Sequence, residues 1–269
     1  MGAKSVVEWS WMRVLVVAAA AVAIPFAAQS QDYADSSDRQ YVLDVGGGVI
    51  YKPKYPGADD YVFLPFPIFS ASRLYFPGVG HFGGTVRGLS VFPSFNFHGK
   101  REASDSPSLT GTNTVDWAFE AGAGIAYRWD WLRVYGQARQ GFNGHHGQVV
   151  DLGFEVTVEP ADRLKLVVGP RLTWASDDFM STYFGVTQAE ANASGGALSP
   201  YSASAGFESA GVLARLSYKV SDRTTFHVRG GWQRLIGDAA DSPIVTADDD
   251  NQFSIGVGVS RRFDFNLFK

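Results

Sequence analysis

Ser94 and His98 are the first side chains in this chain that could do chemistry together, as a nucleophile and its base. They stand four apart in one alternating stretch, or about 13 Å on a strand rising roughly 3.3 Å per residue. A working pair needs roughly 2.6 to 3.2 Å. A partner across strands, such as His227, is announced by no motif, so the chain reads as noncatalytic and free of cofactors. Asn143-Gly144-His145-His146-Gly147 offers two imidazoles to a divalent metal. Adjacent residues chelate one ion poorly, and the Asn and Gly content is that of a tight hairpin, so no metal is expected there. Acidic clusters at Asp59-Asp60, Asp177-Asp178 and Asp248-Asp249-Asp250 could hold calcium or magnesium against lipopolysaccharide phosphates. Solvated loop acids are the plainer reading. The largest set of charges is periodic: Asp116, Glu120, Arg128, Arg133, Arg139, Asp151, Glu155, Lys165, Arg171, Arg215, Lys219, His227 and Arg229 fall on alternate residues, opposite apolar ones.

That alternation defines the elements. Val115, Trp117, Phe119, Ala121, Ala123, Ile125, Tyr127 and Trp129 share one face, while Asp116, Glu120 and Arg128 share the other. Period-two stretches recur at Tyr41 to Lys52, Leu89 to His98, Trp131 to Phe142, Gln148 to Glu159, Arg163 to Ala175, Gly206 to Val220, Arg223 to Ile236 and Gln252 to Phe263. They are longer than the usual ~5–6 residues of a globular strand. Short connections at Asp130, Glu159 to Asp162 and Ser221-Asp222 alternate with long ones at Gly99 to Thr114, Ser176 to Ala205 and Gly237 to Asn251. Aromatic-ended apolar faces with alternately short and long connections predict an all-β fold, a transmembrane antiparallel up-and-down β-barrel with long loops outside. The charged face then lines a lumen, either as a permeation path or as ion pairs that fill it. Tyr61 to Ser70 and Arg73 to Gly84 bring the strands to eleven; two periplasmic termini require an even number, and twelve is expected, with ten as the alternative. Pro65 and Pro67 withhold donors from the same neighbour, which predicts a weakly paired seam beside the second strand.

Composition sets the compartment. Arg13 precedes an apolar run from Val14 to Ala28, and Ala28-x-Ser30 supplies small residues for cleavage, so residues 1–30 read as a secretory signal peptide and 31–269 as one barrel domain. No internal run is long and apolar enough for a membrane helix. Loss of Lys4, Arg13 and Glu8 with the leader takes 23 basic and 27 acidic residues to 21 and 26, an acidic balance that does not attract nucleic acid. With no cysteine there is neither a disulfide framework nor a thiolate metal site.

Arg234-Leu235-Ile236-Gly237-Asp238-Ala239-Ala240-Asp241-Ser242-Pro243-Ile244-Val245 resembles the MipA/OmpV family of outer-membrane proteins. So do Tyr55-Pro56-Gly57-Ala58-Asp59-Asp60-Tyr61 with Leu64-Pro65, Gly144-His145-His146-Gly147, Thr173-Trp174-Ala175, Tyr183-Phe184-Gly185-Val186 and Tyr201 to Gly206. The resemblance implies the outer membrane of a Gram-negative bacterium and contact with its lipid, lipopolysaccharide and barrel assembly machinery. It also implies a scaffold that joins a lytic transglycosylase to a penicillin-binding protein in peptidoglycan synthesis. A narrow channel or uptake porin is the alternative, and a surface adhesin the second. Assembly signals of such barrels are terminal aromatics; here Phe263 or Phe268 would serve, with Lys269 following.

Overall fold

In a computed structural model of the chain, the described residues are 39–76, 80–82 and 87–268, with the backbone alone described over 73–76 and 80–82. The expected leader lies outside them. The strands are β1 (Tyr41–Pro53), β2 (Tyr61–Phe76), β3 (Gly80–Phe82), β4 (Gly88–His98), β5 (Ala118–Arg128), β6 (Leu132–Asn143), β7 (Gln148–Ala161), β8 (Leu164–Ala175), β9 (Gly206–Lys219), β10 (Thr224–Leu235) and β11 (Asn251–Phe265). They form one antiparallel sheet in the order β3-β2-β1-β11-β10-β9-β8-β7-β6-β5-β4, so the first long strand pairs with the last. Ten strands are full length, and β3 is a three-residue piece on the lower end of β2. Ten was the lower of the two expected counts. The stretch read at Tyr61 to Ser70 runs on without a break through Arg73 to Phe76, and the change of phase is absorbed by a bulge against Val42/Leu43 of β1; the end of the second stretch, at 83–84, lies outside the described residues.

Among the described residues no ladder joins β4 to β3 or to the long part of β2 that β3 leaves uncovered, the two edges of the sheet. The prolines account for this. Pro65 and Pro67 sit opposite Val49 and Gly47 of β1, and Pro93 of β4 sits opposite Ala123 of β5, all within unbroken ladders. An antiparallel strand bonds each neighbour through alternate residues. The ladders survive only if these prolines occupy the positions that point away from β1 and β5, which is toward the seam. Both edges therefore lack donors at mid-height, a recognised protection of strand edges.

The outward face is apolar and exposed. Val45, Val49, Val91, Ile125, Leu152, Ile255 and Val257 form its middle, with Trp117, Phe142, Trp232 and Phe253 toward one rim and Trp129, Trp131, Tyr218 and Phe263 toward the other. An apolar band between aromatic rims is the lipid-facing surface of a transmembrane barrel. One boundary differs from the sequence reading. The strand expected from Val115 begins at Ala118, because Val115 makes an isolated bridge with Arg101 and is buried under the loops. Asp116, expected in the lumen, is instead exposed in that loop, where its carboxylate accepts from the Trp117 N–H at 2.8 Å.

The long connections all lie at one end and fold together as a lid. It contains α1 (Asp177–Phe184), α2 (Gln188–Ala193) and the single turn α3 (Pro243–Thr246). Two apolar cores hold it: Phe179, Met180, Tyr183, Phe184 and Val245 pack onto Val149 and Leu235 at the strand ends, while Tyr55, Ala58, Leu109, Val186, Leu198 and Ile244 pack above. These loops bury their own hydrophobic centres, which fixes a cover over the barrel mouth.

Candidate functional site: the lumen and its lid

The lumen is crossed by ion pairs at several depths. Near the lid, the Arg139 guanidinium donates to Glu120 at 2.7 Å and to Asp151 at 2.5 Å, and all three side chains are almost fully buried. Asp151 also accepts from Gln137 at 2.7 Å, from Thr173 at 2.8 Å and from Arg171. One layer lower, Glu155 joins Arg133 at 2.9 Å and Arg215 at 3.1 Å, with Arg133 lying 4.9 Å over the Phe92 ring and 4.7 Å from that of Tyr135. Lower still, Arg262 pairs with Asp44 at 3.1 Å. A small residue on the adjacent strand makes room for the Phe92 ring: a Cβ on Gly124, its cross-strand partner, would come within 2.3 Å of it.

The remaining expected lumen residues take other places. Arg128, Lys165 and Lys219 are half-buried toward the lower end, and Arg229 lies 5.6 Å over the Phe66 ring. His227 is held between two hydroxyls, Ser217 Oγ at 3.1 Å from Nδ1 and Ser260 Oγ at 2.8 Å from Nε2. Both ring nitrogens thus face serine, whereas a general base needs one nitrogen for its nucleophile and the other for an orienting acid. Ser94 instead faces the Arg139 guanidinium at 3.4 Å. A cavity of about 330 Å³ remains under the lid and reaches past Arg139 to Arg133, Glu155 and Arg215, with Lys52, Glu120, Phe179, Arg229 and Gln233 among its other walls.

The lid is fastened by polar ties. Arg101, buried, donates to the carbonyls of Tyr183 at 2.6 Å and Thr182 at 3.3 Å, placing a cation on the C-terminal end of α1. Burial pushes its pKa down, against the pull of nearby acidic groups. Tyr55 donates to Asp248 at 2.7 Å, and Ser108 donates to the same carboxylate at 2.9 Å. Burial, together with that carboxylate, raises the Tyr55 hydroxyl to about 12, although the Ser108 hydroxyl works the other way. Glu190 closes a capping box with Thr187 and accepts from the Asn113 N–H at 2.8 Å. Burial would raise its carboxyl, but the donors at Asn113 and Thr187 hold it below the usual range.

The expected loop Arg234, Gly237, Asp238, Asp241, Ser242 and Pro243 serves the same fastening. Arg234 pairs with Asp250 at 2.9 Å, Gly237 takes a positive φ of 56°, and Asp238 accepts from the Ser204 N–H at 2.8 Å. Asp241 donates its N–H to the Gly237 carbonyl at 3.1 Å. Ser242 donates to the Phe184 carbonyl at 2.7 Å while accepting from Ile244 N–H, and Pro243 starts α3. Of the acidic clusters, Asp59-Asp60 and Asp177-Asp178 are exposed, whereas Asp248 is bound into the lid.

One constellation was not foreseen. His98 Nε2 lies 2.8 Å and His145 Nε2 3.4 Å from the same oxygen, Glu120 Oε1, and the three ligand atoms are all within 4.8 Å of one another. His146, its neighbour in the hairpin, is exposed, so the two adjacent histidines face different surroundings. Phe179 and Tyr183 of α1 roof the pair, their rings 5.0 and 5.6 Å from His145.

An up-and-down sheet with a lipid-facing exterior, an ion-paired lumen and a loop lid defines an integral β-barrel of the bacterial outer membrane. The chain belongs to the family of MltA-interacting protein MipA, whose family model matches residues 45–263. Solved outer-membrane proteins also match at low identity. The N-terminal β-barrel domain of OprF from Pseudomonas aeruginosa is 14% identical, over 66% of this chain and 98% of that one, with a TM-score of 0.30. OprG from Pseudomonas aeruginosa is 11% identical over 84% and 97%, at 0.27, and OmpT of Vibrio cholerae 9% over 83% and 97%, at 0.35. No curated protein matches the chain. The protein therefore resides in the outer membrane of a Gram-negative bacterium, as the resemblance implied.

Proposed function

We propose that this protein is a noncatalytic membrane-embedded docking partner for a lytic transglycosylase of the MltA kind, and through it for a peptidoglycan-synthesising penicillin-binding protein. The single observation that carries this reading is the ion-paired, lidded lumen: Arg139 bridges Glu120 and Asp151 directly under a lid with its own apolar cores. A barrel filled in this way acts through its surfaces, and the family's interaction with MltA names the kind of surface partner. The periplasmic turns are short, so the transglycosylase would engage the rim and the adjoining wall near the β2/β4 seam.

Planar-bilayer recording of the purified barrel, paired with capture of lytic transglycosylase from cross-linked outer membranes, tests the proposal. Expected are a silent bilayer and stoichiometric capture. Steady conductance whose ion selectivity reverses in an Arg215→Glu/Arg229→Glu double variant would replace docking by permeation. Silence without capture would remove the docking role.

A further inference from the structure

We infer that His98, Glu120 and His145 form a binding site for a divalent transition-metal ion beneath the lid. Glu120 divides its oxygens between two tasks. Oε2 accepts from Arg139 at 2.7 Å and Asn96 at 3.2 Å, which fixes the carboxylate, and Oε1 is left to the two imidazoles. Two imidazole nitrogens and one carboxylate oxygen are the protein donors of many open zinc sites, with a coordination position left for water. A tetrahedral ion at about 2.0–2.1 Å from each donor would set them roughly 3.3 Å apart. Glu120 Oε1 stands 2.8 Å from His98 Nε2 and 3.4 Å from His145 Nε2, and no two of the three donors are more than 4.8 Å apart.

Independent support comes from two orphaned polar atoms at this place. His145 is 2% exposed, and its Nε2 has no hydrogen-bond partner; neither has the buried Tyr183 hydroxyl, whose ring packs 5.2 Å from His98 and 5.6 Å from His145. Buried polar atoms without partners are rare and call for a physical reason. His145 Nδ1 accepts from the Gly147 N–H at 3.2 Å, so the ring carries its proton on Nε2, directed at an oxygen too poorly placed to take it. A metal ion would take up this buried nitrogen once its proton has moved to Nδ1. That transfer gives up the 3.2 Å contact with the Gly147 N–H, a loss that the metal–nitrogen bond has to outweigh. At His98 too the Nε2 proton moves to Nδ1 as the ion takes its place, so both rings would bind as neutral imidazoles. Aqueous access is through the cavity, which His98 and Glu120 line.

A site of this kind clamps β4, β5 and the hairpin 143–147 under α1, so an ion bound there also fastens the lid. It is independent of the docking role, and neither test decides the other. The experiment is zinc binding by the purified, chelator-stripped barrel in detergent, followed by calorimetry. The variants are His98→Gln, His145→Gln and, as a surface control, His146→Ala, each checked for folding by heat-modifiable gel mobility. One zinc per chain in the unsubstituted protein and in His146→Ala supports the site, with affinity in the other two reduced at least as much as the ~10–100-fold that even outer-shell changes produce. No stoichiometric binding, unchanged binding in His145→Gln, or loss confined to His146→Ala overturns it. Should a variant not fold, cobalt(II) titration of the unsubstituted barrel decides: visible ligand-field bands saturating at one equivalent support the site, and their absence overturns it.

Discussion

Replacing Asp151 with alanine is the sharpest test of the idea that the lumen is held by a charge lattice and not merely decorated by it. The carboxylate is completely buried and accepts from Arg139, Arg171, Gln137 and Thr173. Its removal leaves two guanidinium groups without that partner, in surroundings where Arg139 is 3% and Arg171 24% exposed. Breaking a buried pair from one side costs about 3–5 kcal/mol. The individual bonds do not add to a larger figure, because Arg139 keeps Glu120 and the more exposed Arg171 is hydrated. The expected loss corresponds to roughly 10²–10³·⁵ in the folding equilibrium, at about 1.4 kcal/mol per decade. Asp151→Asn keeps the shape and an acceptor for Thr173, so a smaller loss is expected.

The internal comparison is Arg234→Ala. Its ion pair with Asp250 is also in direct contact, at 2.9 Å, but its side chains are 59% and 28% exposed. An exposed pair is worth about 0–1 kcal/mol. Denaturant titration of the barrel in lipid vesicles, followed by tryptophan fluorescence, reads both variants on one scale. Equal small shifts for Asp151→Ala and Arg234→Ala would refute the claim that buried charge pairs hold the lumen, and would point to strand pairing alone as the source of stability.

Three further outcomes follow from the lid and the seam. Gly57→Ala forces an alanine to a φ of 92° and places its Cβ 2.6 Å from Val245 Cγ2, so the lid should lose about 1–3 kcal/mol, measurable as faster hydrogen exchange in the lid without change in β9 and β10. Glu190 has a lowered pKa, so its stabilisation is present above the ordinary carboxylate value of about 4.3 and is lost as pH falls through its depressed folded value. Pepsin should therefore cut the segment around α2 increasingly over that acid window, and Glu190→Gln should flatten the dependence; an identical profile in both proteins would contradict it. At the seam, backbone amides of mid-β2 and mid-β4 should exchange faster than those of β10, and equal protection would mean that the two proline-bearing edges are paired.

Legibility followed the range of the interactions. Alternation along Ala118 to Tyr127 reveals which face meets lipid, because the pleat alone decides it. Where tertiary contact takes over, the same periodicity misleads: Val115 continues the apolar phase by sequence, yet Arg101 pulls it out of the wall and under the lid, carrying Asp116 with it. The bulge between Ser70 and Arg73 likewise mimics a strand boundary. His98, Glu120 and His145 could not be grouped from sequence, because the loop 99–117 separates the first two and the third enters from a hairpin that reads as solvent-facing. A weak signal was present, since His98 and Glu120 both fall on polar phases of strands joined in succession.

The lid explains why the resemblance is spread over such distant segments. Tyr55, Tyr183, Phe184, Val186, Tyr201, Ser242, Ile244 and Val245 come from separate family-like stretches, and all are packed or hydrogen-bonded within one cover. Strand positions facing lipid require only apolar character, so many residues satisfy them. A lid core requires particular shapes and donors, such as the Ser242 hydroxyl on the Phe184 carbonyl and Gly57 beneath Val245. The recognisable sequence therefore concentrates where packing is specific.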